Sequence, residues 1–140
     1  ITIIVITLTI GVKVNAQSNE DEKAIKQVAL DYIEGWYSAD GERIGKALSE
    51  DLQKLGFMNH PETKKLIVAE ATHEKMVEWA SKKPNEMKDN PKIKIDISIL
   101  EIGENIAMVK TIAPDFIDYI HMGKKDGEWK YRWVTALPQV

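Results

Sequence analysis

Between Glu20 and Trp36 the apolar residues of this chain recur every three or four positions, but from Lys92 onward they alternate with polar ones. That change of period constrains the fold most tightly, because a helix returns a side chain to the same face after 3.6 residues and a strand after two. Ile25, Val28, Ala29, Tyr32, Ile33 and Trp36 mark one face of a first helix, behind the acidic stretch NEDE, which suits a helix N-terminus. In KIKIDISILEI, IAMVKTI, FIDYIHMG and EWKYRWVTAL the alternation predicts four consecutive strands. The turn KKDG joins the last two, and its Asp126-Gly127 pair is a strong hairpin signal.

The segment between these blocks divides just as cleanly. Asp40, in SADG, is placed to cap a short second helix with Ile44, Ala47 and Leu48 turned inward. LGFM and KKLIVAEA flank the turn NHPET and predict a hairpin. Thr72 caps a third helix, HEKMVEWASKK, which the two prolines of PNEMKDNP end. Helices followed by a meander describe an α+β domain, with the helices on one face of a curved antiparallel sheet. At 140 residues, 44% of them hydrophobic, the chain has room for one core, and no linker or repeat interrupts it.

The first residues are read separately. Ile1 to Val12, ITIIVITLTIGV, matches a secretory signal core in length, and Val14 to Ala16 supplies the small residues a signal peptidase reads. The expectation is a signal peptide over residues 1–16, cut after Ala16, and a single domain over 17–140, periplasmic or secreted, with no membrane segment in the mature form. A buried strand is the other reading of this Ile-, Val- and Thr-rich run. With no cysteine, the chain carries neither a disulfide nor the thiol that a bacterial lipid anchor needs. The net charge of -3 gives no electrostatic reason for a nucleic-acid partner.

The run GWYSADGERIGKALSEDLQKLGF, together with KKDGEWKYRW, resembles the putative lumazine-binding family of the nuclear transport factor 2-like superfamily, SnoaL-like proteins with a cystatin-like cone. The likeness covers nearly all of the chain after residue 16. SEDL (Ser49 to Leu52) stands where the family often has HPDL, so a histidine sometimes found there is absent. The resemblance implies about three helices on a curled sheet, with a ligand pocket between the first helix and the strands. It also implies pairing of two copies through the open sheet face, for which IKIDISI offers a row of isoleucines. Ketosteroid isomerase and polyketide cyclases belong to the same superfamily, but their acidic residues do not map onto this chain one by one.

Register counted across KKDG puts Asp118, Ile120 and Met122 on one face with Trp129, Tyr131 and Trp133. Ile117, Tyr119 and His121 then share the other with Lys130, Arg132 and Val134. The first face is the more aromatic and is assigned to the interior, which places Asp118 close to Trp133. Trp36 and Tyr37, at the end of the first helix, are expected at the cavity mouth, with Tyr32 inside. Met58 and Met122 would form adaptable walls, and His60 would reach in from the first hairpin. Tyr32, Trp36 and Trp129 also have a plainer use as core.

Other chemistries lack their parts. The three histidines are not spaced as metal ligands, and HEKMV has Val77 where a zinc-protease helix needs its second histidine. There is no thiol nucleophile, no serine in a nucleophile context and no glycine-rich phosphate loop. The sequence therefore points to an exported domain that binds a small planar or apolar molecule without catalysis, and to no cofactor or metal. A homodimeric interaction module is one alternative. The other is an isomerase, dehydratase or cyclase, whose proton transfer would rest on Asp118.

Overall fold

The computed structural model describes residues 11–139, and in it the first helix, α1 (Gly11–Tyr37), starts well before Glu20. NEDE therefore lies inside the helix rather than at its start. Residues 1–10 of the expected leader lie outside the described residues. Helix α2 (Gly41–Ala47) follows, and the Asp40 side chain accepts a hydrogen bond from Arg43 N at 2.9 Å. Strands β1 (Leu48–Asn59) and β2 (Leu66–Ala71) form the expected hairpin, and Thr72 caps α3 (His73–Lys82). Strands β3 (Asp96–Ile102), β4 (Ile106–Ile112), β5 (Phe116–Lys125) and β6 (Glu128–Pro138) make the meander. Asp126 and Gly127 both have positive φ, the backbone that a two-residue hairpin loop with right-handed twist demands.

All six strands belong to one curved sheet in the order β2-β1-β6-β5-β4-β3. Every neighbouring pair is antiparallel except β1 and β6, which run parallel and join the hairpin to the meander. The inner face of the sheet meets the helices in one buried cluster, where Ile25, Ala29 and Ile33 of α1 share the core with Val109, Ile120 and Val134. Burying a side chain of this kind is worth about 1.5–3 kcal/mol, which is what holds α1 against the strands. Polar ties add to this along its length. Asp21 accepts from Lys124 Nζ at 2.8 Å and Trp129 Nε1 at 2.9 Å, contacts that hold its carboxyl below the usual range. Arg43 bridges from α2 to Asp31 and Glu34.

Three expectations, two about strand faces and one about the end of α2, meet corrections. Met122 stands opposite Tyr131, but His121 stands opposite Trp133, so Arg132 is an extra residue in β6. This bulge reverses the alternation beyond it. Trp133 points outward and is 59% exposed, while Val134, expected outside, is buried opposite Ile120. Second, Ile95, Ile97 and Ile99 pack against the core instead of forming the outer row. The outer face is carried by Leu55, Val68, Met108, Tyr119 and Trp133, all exposed. Third, Leu48 does not continue α2 but opens β1. Among the described residues no helix is long and apolar enough to cross a membrane.

Candidate functional site

Asp118 lies on the inward face of β5 with no exposed surface, as the register predicts. A carboxylate there needs a partner, and β1 supplies one from its own inward face, where Lys54 stands level with Ala71 and Val134. Lys54 Nζ donates to Asp118 Oδ1 at 3.0 Å and to the Tyr32 hydroxyl at 2.7 Å. Its ammonium also lies 5.2 Å from the centre of the Tyr32 ring and 5.5 Å from that of Phe116, so the cation is wrapped by aromatic surface. Only 12% of the Lys54 side chain is exposed. Burial raises the Asp118 carboxyl above its ordinary value, and the charge and hydrogen bond of Lys54 oppose that rise.

Tyr131 of β6 completes the group, its ring stacked on that of Tyr32 at 4.6 Å between centres. Burial pushes both phenols well up, so each remains an O–H donor at neutral pH. Thr111 of β4 is the cross-strand partner of Asp118 and is fully buried with it. Among the described residues three oxygens in this set have no protein hydrogen-bond partner, Asp118 Oδ2, Thr111 Oγ1 and the Tyr131 hydroxyl, while the Tyr32 hydroxyl joins Lys54 in opposing the rise at Asp118. Buried polar atoms are nearly always paired, so an acceptor and two hydroxyls without protein partners are positions for water or for the polar groups of a ligand.

Tyr37 and Trp36 do not form a mouth. Tyr37 is buried, donates its hydroxyl to Asp115 Oδ2 at 2.9 Å and accepts from Asp115 N at 3.2 Å. Its carbonyl accepts from Glu86 N and Met87 N at 2.8 and 3.2 Å, tying down the strap that leads from α3 to β3. Lys83 lies 5.1 Å from the ring centres of both Trp36 and Tyr37. The two bulky residues at the helix end therefore close that end of the cone. Trp36 itself is half-buried against the core.

Of the residues expected to bind, Tyr32, Asp118 and Tyr131 come together, and Met122 is buried opposite Tyr131. Met58 does not join them: it is 45% exposed, opposite Ile67 at the free end of the first hairpin. His60 stays in its turn, where Nδ1 accepts from the backbone N–H groups of Glu62 and Thr63. Trp133 faces the other way. It lines a groove of about 440 Å³ across the outer sheet face with Tyr119, His121, Leu55, Leu100 and Met108. Lys54 and Thr111 were missed by sequence reasoning. A lysine two residues beyond buried Leu52 was the available signal, once β1 is known to begin at Leu48. Among the described residues no three His, Asp or Glu side chains gather as a metal site.

A family model described as putative lumazine-binding matches residues 20–132. Solved structures share the fold at low identity. One is a nuclear transport factor 2-like protein of unknown function from Methylobacillus flagellatus KT, with TM-score 0.69 and 20% identity over 86% of this chain and 94% of that one. Another, of the same description, comes from Shewanella baltica OS155, with TM-score 0.67 and 19% identity over 87% and 96%. A putative scytalone dehydratase from Novosphingobium aromaticivorans DSM 12444 aligns with TM-score 0.56 and 16% identity over 90% and 89%. No curated protein matches the chain.

Proposed function

The chain belongs to the putative lumazine-binding family, and from that premise we propose that it is a small-molecule-binding domain without catalytic activity, whose ligand is a planar heteroaromatic held at the buried Lys54 and Asp118 pair. The observation that carries this reading is the trio of open oxygens on Asp118, Thr111 and Tyr131. Aromatic walls at Tyr32 and Tyr131 and a few fixed polar groups are the usual make-up of a ligand site. Catalysis by proton transfer is disfavoured because the Asp118 carboxylate is already engaged by the Lys54 ammonium. We also read the apolar run and the Val14 to Ala16 stretch as a leader that sends the protein to the periplasm or outside the cell.

A thermal-shift and calorimetric screen with pteridines and flavins tests the site. A ligand present at one hundred times its dissociation constant adds about 2.7 kcal/mol of stability, which raises the melting temperature by roughly 9 °C for a domain of this size. Asp118→Ala, checked for folding by circular dichroism, should bind at least about tenfold more weakly. No shift with any heteroaromatic, or equal binding by the folded variant, would sink the reading.

The exposed outer face favours a second reading, a homodimer. Leu55, Val68, Met108, Tyr119 and Trp133 make a contiguous apolar surface of the kind that marks an interface. Six strands spaced about 4.8 Å apart and some 20 Å long offer a face comparable to half of a standard interface. Sedimentation at tens of micromolar should give a dimer, and Trp133→Glu should give a folded monomer. A monomeric wild-type protein at that concentration removes this reading and leaves the ligand site untouched.

A further inference from the structure

We propose that Asp51, Arg132 and Gly123 form a lock that fixes the register of β6, turns Trp133 to the outer face and so builds the surface on which a second copy docks. The docking rests on the homodimer reading above; the register does not. Alternation alone would choose otherwise. Trp129, Tyr131, Trp133 and Leu137 stand at odd positions of β6, and an unbroken ladder counted from the Asp126-Gly127 turn would pair His121 with Arg132 and Ile120 with Trp133. That register would bring Trp133 and Leu137 inward and turn Val134 and Ala136 outward. The observed ladder pairs His121 with Trp133 and leaves the indole largely exposed. A strand that forgoes the burial of so large a ring needs its bulge held by other contacts.

Those contacts converge on Arg132 from both neighbouring strands. Between Tyr131 and Trp133, β6 uses one residue where β1 uses four, Ser49 to Leu52, so both ladders of β6 break at the same level. Asp51 lies in that excursion of β1 and accepts from Arg132 Nη1 on both carboxylate oxygens, at 2.8 and 2.9 Å. The Ser49 hydroxyl donates to the same group; this bond first, and then the Arg132 charge, hold the Asp51 carboxyl below its ordinary value, so it meets the guanidinium as an anion. On the β5 side the arm of Arg132 fills the space that a side chain at Gly123 would need. A Cβ there would stand 2.4 Å from Arg132 Nε and 2.5 Å from Cδ. Gly123 is accordingly buried, while His121 and Lys125, two residues to either side, are exposed. Its φ is not in the left-handed region, so glycine serves here by leaving room rather than by its backbone freedom. With the arm seated, β6 keeps its extra residue and Trp133 stands with Leu55, Met108 and Tyr119 along the outer groove.

Gly123→Val is the deciding variant, because valine suits a strand while its side chain evicts the Arg132 arm. Cross-strand nuclear Overhauser contacts on the full chain read the register, and the solvent-isotope shift of fluorine-labelled Trp133 reads its exposure. The variant should lose the contact of Trp133 with His121, gain one with Ile120 and lose the isotope shift. By sedimentation its dimer should dissociate at least about tenfold more readily than the wild type. Deleting Arg132 in the same variant removes the arm together with the extra residue, so the pairing of His121 with Trp133 should return; a pairing that stays shifted overturns the proposal. So does a folded Gly123→Val protein with Trp133 still opposite His121. Should that variant fail to fold, Asp51→Ala takes its place: a population with Ile120 opposite Trp133 supports the lock, and the wild-type pairing alone overturns it. A wild-type chain that sediments as a monomer while Gly123→Val shifts the register removes the homodimer reading and keeps the lock.

Discussion

Lys54→Met lowers the stability of the domain by about 3–5 kcal/mol at pH 7, the cost of leaving one partner of a buried ion pair alone, and the loss shrinks as the solution is acidified. The sign follows from Asp118. Its carboxyl already titrates above the ordinary value because of burial, and Lys54 is what opposes that rise. Without the ammonium the folded-state value climbs further, while the unfolded chain keeps its value near 3.9. A group raised on folding contributes fully below its unfolded value, and its contribution is lost as the pH climbs through its folded value. The variant therefore gains on the wild type between neutral pH and about pH 4. Urea unfolding followed by tryptophan fluorescence at pH 7 and pH 5 measures this directly. A loss of equal size at both pH values would mean that Lys54 acts through its packing on Tyr32 and Phe116 alone. Lys54→Met combined with Asp118→Leu should recover most of the loss, because an apolar pair of similar bulk needs no hydrogen bonds.

Tyr131 separates bulk from polarity at the same site. Tyr131→Ala removes a ring that stacks on Tyr32 and opens a cavity between α1 and β6, which costs about 3–5 kcal/mol. Tyr131→Phe keeps the ring and removes a hydroxyl that has no partner, so its stability should lie within about 1 kcal/mol of wild type. Denaturant midpoints for the two variants give the comparison. A Phe variant weaker by more than about 2 kcal/mol would show a hydroxyl paired in the ligand-free protein, against its open state described above. Stability kept and heteroaromatic affinity lost is the pattern of a residue retained for recognition rather than for folding.

Much of this architecture was legible in the chain. Period and punctuation located the three helices and the meander, because Asp40, Thr72, the paired prolines and the Asp126-Gly127 turn each impose a local geometry that packing does not override. Asp118 was readable as inward because counting outward from that turn is sound along β5. The same count failed along β6, where Arg132 interrupts the ladder without disturbing the alternation of residue types. Trp133 changed sides for that reason. The isoleucines of β3 show a different limit. Alternation separates two faces, but which one faces the core depends on what covers it, and α1 covers the side that bears Ile97 and Ile99. Lys54 escaped notice because β1 follows α2 without a turn, and its pairing with β6 shifts register between Leu48 and Gln53.

The parallel contact between β1 and β6 has a kinetic meaning. The first hairpin and the meander are each assembled from neighbours in the chain, whereas Gln53 meets Trp133 only after the whole middle of the polypeptide has been gathered in. Closing so long a loop is entropically slow, and the reward comes only once it is shut. The seam between these strands is therefore the step expected to form last and to set the folding rate. Until it zips, β6 presents an unpaired edge to any other unfinished molecule nearby.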